Sequence, residues 1–367
     1  MKIKTITPVG IRIPMIKPIK LAGVAITHAE SLIVRMEDTD STIGWGEAVT
    51  APMMTGETVE SMVAAVKFMT PHLEGMELEK ADKFFARLQP LMYGNDGAKS
   101  ALDCALYDLI GKREGKPIYE LLGGKQRDRS TVLWLLGDAV LESDVQSALK
   151  KQDEGFISFK VKIGGAPAAN DLERSKAVCD ALDKSFKVSA DANQGFSLES
   201  AIEYARGAEN AGLAFFEQPI DGFDIDGMAQ IAASTPVPIA ADEGIHSIAD
   251  IEKHRNAHAA SGGCLKTIKL GGLTNLIAAS RMCADTGFHL NIAGKLAETS
   301  ISGAANVHLS LAAPQLDWDM AITSHYLQYD ICKNPIGAVD GHLTASDQPG
   351  LGIDVDESKL AKATYLK

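Results

Sequence analysis

Short apolar segments alternate with longer amphipathic segments from about residue 130 onwards, and this alternation constrains the fold more than any other feature of the chain. The stretch at 201–209, Ala-Ile-Glu-Tyr-Ala-Arg-Gly-Ala-Glu, is typical of the amphipathic segments, which we interpret as helices. Repeated strand–helix units of this length imply parallel strands. The segments that we interpret as strands are 131–136, 159–162, 187–191, 215–217, 239–242, 264–266 and 289–292.

A TIM-like (β/α)7β barrel over residues 126–340 is the α/β fold that closes such a series, with a short eighth strand at 316–319. An open doubly wound sheet is the alternative, but no Gly-x-Gly-x-x-Gly motif follows an early strand. The first 50 residues alternate like an antiparallel sheet, and 58–122 has helical periodicity, with Gly111 interrupting one helix and Gly123-Gly124 ending the last. We therefore predict an α+β capping domain at 1–125, completed by 341–367.

Charged residues close five of these predicted strands at nearly regular intervals. Successive members are 29, 26, 25 and 24 residues apart, which is roughly one strand–helix unit each. The carboxyl ends of the strands of such a barrel meet at one mouth, where catalytic residues gather, so we expect these side chains to converge there. The five are Lys162, Asp191, Glu217, Asp242 and Lys266.

Three of the five are carboxylates, Asp191, Glu217 and Asp242. A single aspartate after a strand is usually a turn former or a helix cap, but three converging carboxylates repel one another unless a cation or protons compensate. A divalent cation is the economical compensation, and an all-oxygen ligand set favours Mg²⁺, or Mn²⁺, over Zn²⁺.

The two lysines, Lys162 and Lys266, flank the carboxylates in sequence order, so we expect them to face a substrate from opposite sides. A lysine close to a metal and partly desolvated can lose its proton and act as a base, and the metal stabilises the enediolate formed when a proton leaves the carbon alpha to a carboxylate. The alternative is that these lysines bind phosphate or form structural ion pairs.

Five motifs of the barrel region surround the charged residues. They are Lys160-Val161-Lys162, Asp191-Ala192-Asn193, Phe216-Glu217-Gln218-Pro219, Ala241-Asp242-Glu243 and the Lys-Thr-Ile-Lys-Leu-Gly-Gly run at 266–272. These motifs resemble those of the enolase superfamily, in its muconate-lactonizing-enzyme subgroup (the mandelate racemase/muconate lactonizing enzyme family). The resemblance extends over nearly the whole chain, because two further motifs, at 44–48 and 120–124, are similar to those of the family's capping domain.

The resemblance implies the same metal ligands and the same acid/base lysines, and it adds supporting roles. Glu243 and Lys269 would lie behind the ligands, Lys160 would help to bind the substrate carboxylate, and Asn193 would form a hydrogen bond within the site. Capping-domain loops that contain Val24 and Met54 would close over the substrate. The structural alternative stays open for Lys160 and Lys269. The barrel could also be a ligand-binding protein without catalysis, although all five charged positions are filled.

Three further carboxylates bear on the substrate. Glu298 matches an acid near the seventh strand, and Asp317 and Asp319 are similar to an Asp-x-Asp pair that holds the ammonium group of amino-acid or dipeptide substrates in the subgroup. Alternation along a strand would put both aspartates on one face. We therefore expect a racemase, an epimerase or a dehydratase for a small amino or imino acid, of the proline or dipeptide type. A muconate cycloisomerase is the alternative, and Asp317 could instead only cap or turn the chain.

The net charge of -12 argues against nucleic-acid and anionic-membrane partners, because both would repel this surface. No apolar run is long enough for a membrane span, and the N-terminus lacks a signal-peptide pattern, so we expect a cytoplasmic protein. We also expect a small-molecule carboxylate substrate and a homo-oligomer. The five scattered cysteines are expected to be reduced core residues.

Overall fold

The computed structural model describes residues 2–21, 24–77 and 81–367. The N-terminal part is an antiparallel sheet covered by helices, and the alternating residues at its start form the long paired strands β1 and β2. Its elements are β1 (Ile3–Leu21), β2 (Val24–Asp38), β3 (Ile43–Val49), α1 (Val59–Leu73), α2 (Ala81–Leu88), α3 (Asp96–Glu114) and α4 (Ile118–Leu121).

The strand β3 packs closely against α3 because two of its residues are glycines. A Cβ atom on Gly46 would lie 1.9 Å from the carbonyl oxygen of Ala101, and one on Gly44 would lie 2.1 Å from that of Ala105. The prediction that Gly111 interrupts this helix is wrong. Helix α3 continues through Gly111, whose missing side chain leaves room for the backbone of Gly350.

The predicted alternation of strands and helices forms a barrel. The eight strands β5 to β12 lie side by side in chain order and are parallel, and a parallel bridge between Val132 and Met320 joins the last to the first. The fold class is confirmed. The strands of this region are β4 (Ser130–Thr131), β5 (Leu133–Leu136), β6 (Ser158–Lys162), β7 (Lys187–Asp191), β8 (Phe216–Glu217), β9 (Ile239–Ala241), β10 (Gly262–Leu265), β11 (His289–Ala293) and β12 (Met320–Ala321). The helices are α5 (Leu141–Asp153), α6 (Ala168–Ala181), α7 (Leu198–Ala211), α8 (Ile225–Ala233), α9 (Ile248–Asn256), α10 (Thr267–Leu270), α11 (Leu273–Thr286) and α12 (Ser300–Ala312).

The helices that follow the three carboxylate-bearing strands are capped by other residues. Ser197, Asp224 and Ser247 accept hydrogen bonds from the first-turn amides of α7, α8 and α9, respectively. Asp191, Glu217 and Asp242 are therefore free of a capping role, and their position at the strand ends needs another explanation.

The eighth strand lies later in the chain than the predicted segment 316–319. Strand β12 pairs with β11 through Met320 and Ala321, while Trp318 lies below it, stacked on Phe215 at 4.2 Å between ring centroids. Trp318 is 5% exposed and belongs to an apolar cluster inside the barrel.

The C-terminal segment returns to the N-terminal sheet. It contains β13 (His342–Leu343), which pairs with β4, then α13 (Glu357–Ala363) and β14 (Thr364–Leu366), which pairs with β1 and completes the sheet order β14-β1-β2-β3. The domain boundaries at 125/126 and 340/341 stay predictions. Within the described ranges no helix is both long and apolar enough to cross a membrane. All five cysteines are buried and unpaired.

Two carboxylates of the N-terminal part bind the starts of barrel helices. Glu47 accepts hydrogen bonds from the backbone and hydroxyl of Thr299, at 3.0 and 2.7 Å, and Asp103 accepts from the backbone and hydroxyl of Thr274, at 2.9 and 2.8 Å. Helices of such a barrel begin at its mouth, so these contacts hold the N-terminal part against the mouth.

Candidate active site

The five predicted charged residues lie together at the carboxyl ends of neighbouring strands. Lys162 is the register partner of Asp191, and Asp191 is the partner of Glu217, so these three Cα atoms form one row across β6, β7 and β8. Asp242 and Lys266 follow the last residues of β9 and β10 directly. One strand-end row therefore carries the whole set, which the regular spacing predicted.

Each of the three carboxylates forms an ion pair with a lysine of the site. The Nζ of Lys162 lies 2.5 Å from Asp191 Oδ2, Lys160 pairs with Glu217, and Lys266 pairs with Asp242. The carboxylates are at most 2% exposed. Buried charges of this kind persist only when they are paired, so the lysines and carboxylates stabilise one another.

The electrostatics differ among the three carboxyl groups. Burial raises the pKa of Asp191, but Lys162 and Lys160 lower it by more, so that it falls below its ordinary value. Asp242 behaves likewise, with Lys266 and Lys269 outweighing burial. The pKa of Glu217 is raised, because burial and the charge of Asp191 outweigh the opposing effect of Lys160.

The lysine pKa values in this arrangement are governed by the same contacts. Burial lowers the pKa of Lys266, but Asp242 and Glu217 outweigh it, so the pKa rises above the ordinary value. That of Lys160 also rises, because Cys264 and Glu217 outweigh burial. Both amines are therefore held as ammonium groups by the surrounding carboxylates.

The predicted supporting residues lie where they can orient this set. Asn193 accepts a hydrogen bond from Lys162 at 2.9 Å and donates one to Glu243 at 3.0 Å. Its backbone lies in the left-handed region, with a φ of 42°. Lys269 is fully buried and donates to Asp242 Oδ1 at 2.5 Å. Burial and the charges of Asp242 and Asp191 raise the pKa of Glu243 to about 7.

Gln218 is a positioning residue that the sequence reasoning missed. Its side-chain oxygen accepts from the backbone N–H of Asp242 at 2.7 Å, and its side-chain nitrogen donates to the carbonyl of Ile220 at 2.9 Å. Gln218 is fully buried and so fixes the turn that carries Asp242. Its only signal in the sequence was its place in the motif around Glu217.

Lys295 is a second missed residue. It follows β11 by two residues and lies 29 residues after Lys266, so it continues the interval that identified the other five. The charges of Lys266, Asp242 and Lys162 all act on its amine. The same spacing argument, carried one strand further, would have found it.

The capping-domain predictions have mixed outcomes. Met54 lies in a turn, with its N–H donating to the carbonyl of Ala51 at 2.9 Å, and it is partly buried against the core of the N-terminal part. The described contacts do not place it at the lysines. The side chain of Val24, and Ala22 and Gly23 beside it, lie outside the described residues. The roles of Val24 and Met54 stay predictions.

Glu298 is fully buried just before α12, and its backbone N–H donates to the carbonyl of Lys295 at 3.2 Å. Its Oε2 accepts from Ser302 at 2.9 Å and from Asn306 at 3.0 Å, both on α12. Burial, followed by the nearby charge of Glu47, raises its pKa to about 8. These side-chain contacts place the Glu298 carboxyl group in the packing between α12 and the N-terminal part, and among the described residues they join it to none of the site lysines.

The predicted placement of Asp317 and Asp319 at the substrate is wrong. Both precede β12 and lie at the amino ends of the strands, opposite the mouth. Asp317 accepts from the backbone of Leu290 at 3.0 Å and pairs with His289, while Asp319 pairs with Lys187, the first residue of β7, at 3.2 Å. A five-residue strand such as β7 spans about 16 Å, which separates these carboxylates from Asp191.

The donor set fits a hard divalent cation by its chemistry, because three buried carboxylates end three successive strands. As the side chains stand, no group of three His, Cys, Asp or Glu residues in the described ranges is arranged to hold a metal. Each carboxylate is turned onto a lysine ammonium instead.

Comparison with known proteins gives the same family over both parts of the chain. Residues 5–123 match the mandelate racemase/muconate lactonizing enzyme N-terminal domain, and residues 144–359 match the enolase C-terminal domain-like family. Muconate cycloisomerase 1 from Pseudomonas putida is 32% identical over 95% of each chain. The N-succinyl-L-Arg/Lys racemase from Bacillus cereus is 28% identical over 100% of this chain and 99% of its own.

Solved structures agree with the sequence matches. Muconate lactonizing enzyme from Pseudomonas fluorescens, complexed with muconolactone, superposes with a TM-score of 0.94 at 31% identity over 99% of each chain. A dipeptide epimerase from Cytophaga hutchinsonii, complexed with Mg and the dipeptide D-Ala-L-Val, gives 0.92 at 25% identity over 100% of this chain and 99% of its own. The chain therefore belongs to the mandelate racemase/muconate lactonizing enzyme family, in the muconate-lactonizing-enzyme subgroup of the enolase superfamily.

Proposed function

We propose that this isomerase is a racemase or epimerase that moves the proton alpha to a substrate carboxylate, with Lys162 and Lys266 as the two acid/base groups. The observation that carries the proposal is their placement: they end β6 and β10, with the three carboxylate-bearing strand ends between them. Each pairs with a different carboxylate, Asp191 or Asp242. Two lysines on either side of one carbon can each serve one configuration of the substrate.

Asp191, Glu217 and Asp242 would hold the divalent cation, Mg²⁺ by preference. When bound, the cation supplies positive charge that offsets the substrate carboxylate and takes up the carboxylate charge that now raises the Lys266 pKa. The structure of the dipeptide epimerase relative, which contains Mg, supports this assignment. Lys160, buried beside Glu217, would add a positive charge under the substrate carboxylate.

Residues of the chain itself both remove the alpha proton and return a proton to the carbon. One lysine, as the neutral amine, takes the alpha proton, and the electron pair of the C–H bond moves into the carboxylate to form an enediolate. The other lysine, as the ammonium, returns a proton to the opposite face of the carbon. Asn193 accepts from Lys162 and so orients its amine.

Muconate cycloisomerisation is the second candidate, and the 0.94 superposition on muconate lactonizing enzyme favours it. That reaction needs only one of the two lysines to transfer a proton. The earlier expectation of a free amino or imino acid loses its main support, since Asp317 lies at the far end of the barrel from the site. Dehydration would use the same first step.

The test is alpha-deuterium incorporation in D₂O with Mg²⁺, followed by NMR, for each enantiomer of N-acylated and free amino acids, alongside muconate. In the wild type we expect exchange from both configurations. Lys162→Ala should abolish exchange from one configuration and Lys266→Ala from the other, each by about 10²- to 10⁴-fold.

Lys187→Ala is the matched control, because Lys187 begins β7 at the opposite end of the barrel. It should leave both exchange reactions unchanged. If both site variants still exchange both enantiomers at the wild-type rate, neither lysine is the base. Turnover of muconate without any alpha exchange would favour the cycloisomerase.

A further inference from the structure

We infer that Lys295 forms an anion-binding subsite at the mouth of the barrel, so that the substrate carries a second anionic group besides the carboxylate next to the reacting carbon. This inference rests on the proposed function and names the substrate class of the same site. Lys295 follows β11, between the ends of β10 and β12.

The backbone at Lys295 is held firmly in place. Its carbonyl accepts from the hydroxyl of Thr323 at 2.7 Å and from the backbone of Glu298 at 3.2 Å. The preceding residue, Gly294, donates its N–H to the carbonyl of Ala321 at 2.8 Å. The start of the side chain is therefore fixed between the seventh and eighth strand ends.

The amine of Lys295 lies within electrostatic range of the acid/base pair. The positive charges of Lys266 and Lys162 and the negative charges of Asp242 and Glu243 act on this amine, and these groups surround the proposed reaction centre. Desolvation is the largest effect on this amine and, with the two lysines, lowers its pKa to about 8. Because Lys295 is partly buried, an anion beside it would stabilise its ammonium form.

The other four lysines of the site already have carboxylate partners, whereas Lys295 has none within the part of the chain that the structure describes. Its position among paired cations leaves it available for a ligand. An anionic group on the substrate is the partner that the site itself does not provide.

The balance of charges at the mouth also favours a second anionic group on the substrate. Five lysines face four carboxyl groups there, and a divalent cation would increase the positive excess. The lysines are Lys160, Lys162, Lys266, Lys269 and Lys295, and the carboxyl groups are those of Asp191, Glu217, Asp242 and Glu243. A substrate with one carboxylate would leave more of this charge uncompensated than a substrate with two.

The end of the eighth strand forms the neighbouring side of the mouth. The side chains of Ala321, Ile322 and Thr323 carry no charge, so these three residues offer no carboxylate that would attract an ammonium group. N-acyl amino acids that end in a carboxylate, and other dicarboxylates, fit this arrangement. Free amino acids do not.

The experiment compares the N-succinyl and N-acetyl derivatives of the same amino acid in wild type, Lys295→Met and Lys295→Arg, with alpha-deuterium exchange as the readout. In the wild type we expect the dianionic substrate to have the higher kcat/KM. Lys295→Met should lower kcat/KM for the N-succinyl substrate by about 10- to 100-fold, mainly through KM, with a small change for the N-acetyl substrate. Lys295→Arg should keep most of the preference, because it keeps the charge.

Binding of glutarate against butyrate, measured by calorimetry with Mg²⁺ present, gives a readout that does not depend on turnover. The wild type should bind glutarate more tightly, and Lys295→Met should remove that difference while Mg²⁺ affinity stays unchanged. If the wild type catalyses no alpha-deuterium exchange but Lys295→Met lowers the affinity for glutarate, the anion-binding subsite is supported and the proposed reaction is refuted. If exchange occurs with equal efficiency for both substrates and Lys295→Met changes neither, the subsite is refuted and the reaction stands. Equal kcat/KM for the N-succinyl and N-acetyl substrates in the wild type would overturn the inference even if the variant does not fold.

Discussion

At the scale of single residues, the site is a set of buried charges in which lysines and carboxylates hold one another. Asp242 shows the arrangement most completely: two lysines contact its carboxylate, and Gln218 holds its backbone N–H at 2.7 Å. A cation at the carboxylates would take over part of the role that the ammonium groups play. The three carboxylates are therefore the residues at which metal binding can be tested directly.

Asp191→Asn, Glu217→Gln and Asp242→Asn should each weaken Mg²⁺ binding by at least about tenfold, the loss that even outer partners of a metal site produce. The amide keeps the shape but removes the charge that attracts a hard cation. Isothermal titration calorimetry with Mg²⁺ and with Mn²⁺ measures the change. Asp319→Asn is the control, since Asp319 lies at the opposite end of the barrel, and it should leave the affinity unchanged. Unaltered binding in all three site variants would mean that the cation lies elsewhere.

At the scale of secondary-structure elements, the N-terminal part is joined to the barrel through the first turns of helices. Gly272 stands at the N-cap of α11 and has no side chain to bind the free amides, so Asp103 of α3 binds them instead. Glu47 of β3 does the same for α12. Residues of the N-terminal part thus bind the first turns of two barrel helices, and these contacts align the mouth of the barrel with the N-terminal part.

Asp103→Ala should destabilise the protein by about 1–2 kcal/mol, the usual effect of losing a helix N-cap, because the amide and hydroxyl of Thr274 lose their acceptor. Urea unfolding followed by circular dichroism measures the difference. Asp82→Ala, at an exposed position of α2, should change stability by less than about 0.5 kcal/mol. Equal effects of the two substitutions would show that the contact to α11 contributes nothing specific.

At the scale of the whole molecule, the buried carboxyl group of Glu298 makes the stability of the protein depend on pH. The Glu298 carboxyl group has a pKa of about 8, raised by burial and then by the charge of Glu47. Between pH 4.5 and 8 the unfolded chain ionises this group while the folded chain keeps its proton. The folded state therefore binds more protons in this window, and its stability falls as the pH rises.

Glu298→Gln should remove this part of the pH dependence. The wild type should lose up to about 4 kcal/mol relative to the variant between pH 5 and pH 8.5, as the raised pKa of a single group implies. The free energy of unfolding, measured in urea at several pH values, tests this. Glu199→Gln, exposed on α7, should follow the wild type. Parallel pH profiles for wild type and Glu298→Gln would contradict the expectation.

The sequence by itself determined the barrel, its seven leading strands and the charged residues at the ends of five of them. These features are periodic along the chain, and five successive units repeat the same local pattern of apolar strand, charged end and helix. The family motifs added specificity to this pattern. Lys295 follows the same rule and was within reach of the sequence.

Only the tertiary structure decided which end of the barrel a residue faces when its strand is short. Asp317 and Asp319 precede a two-residue strand, and a shift of four residues along a strand moves a side chain about 13 Å, from one end of the barrel towards the other. The register of β12 is set by pairing with Ile292 and Ala293 of β11 and by the packing of Trp318, neither of which a local pattern records. Ion-pair partners, the continuation of α3 through Gly111, and the capping of α11 by Asp103 likewise depend on residues far apart in the chain that only folding brings together.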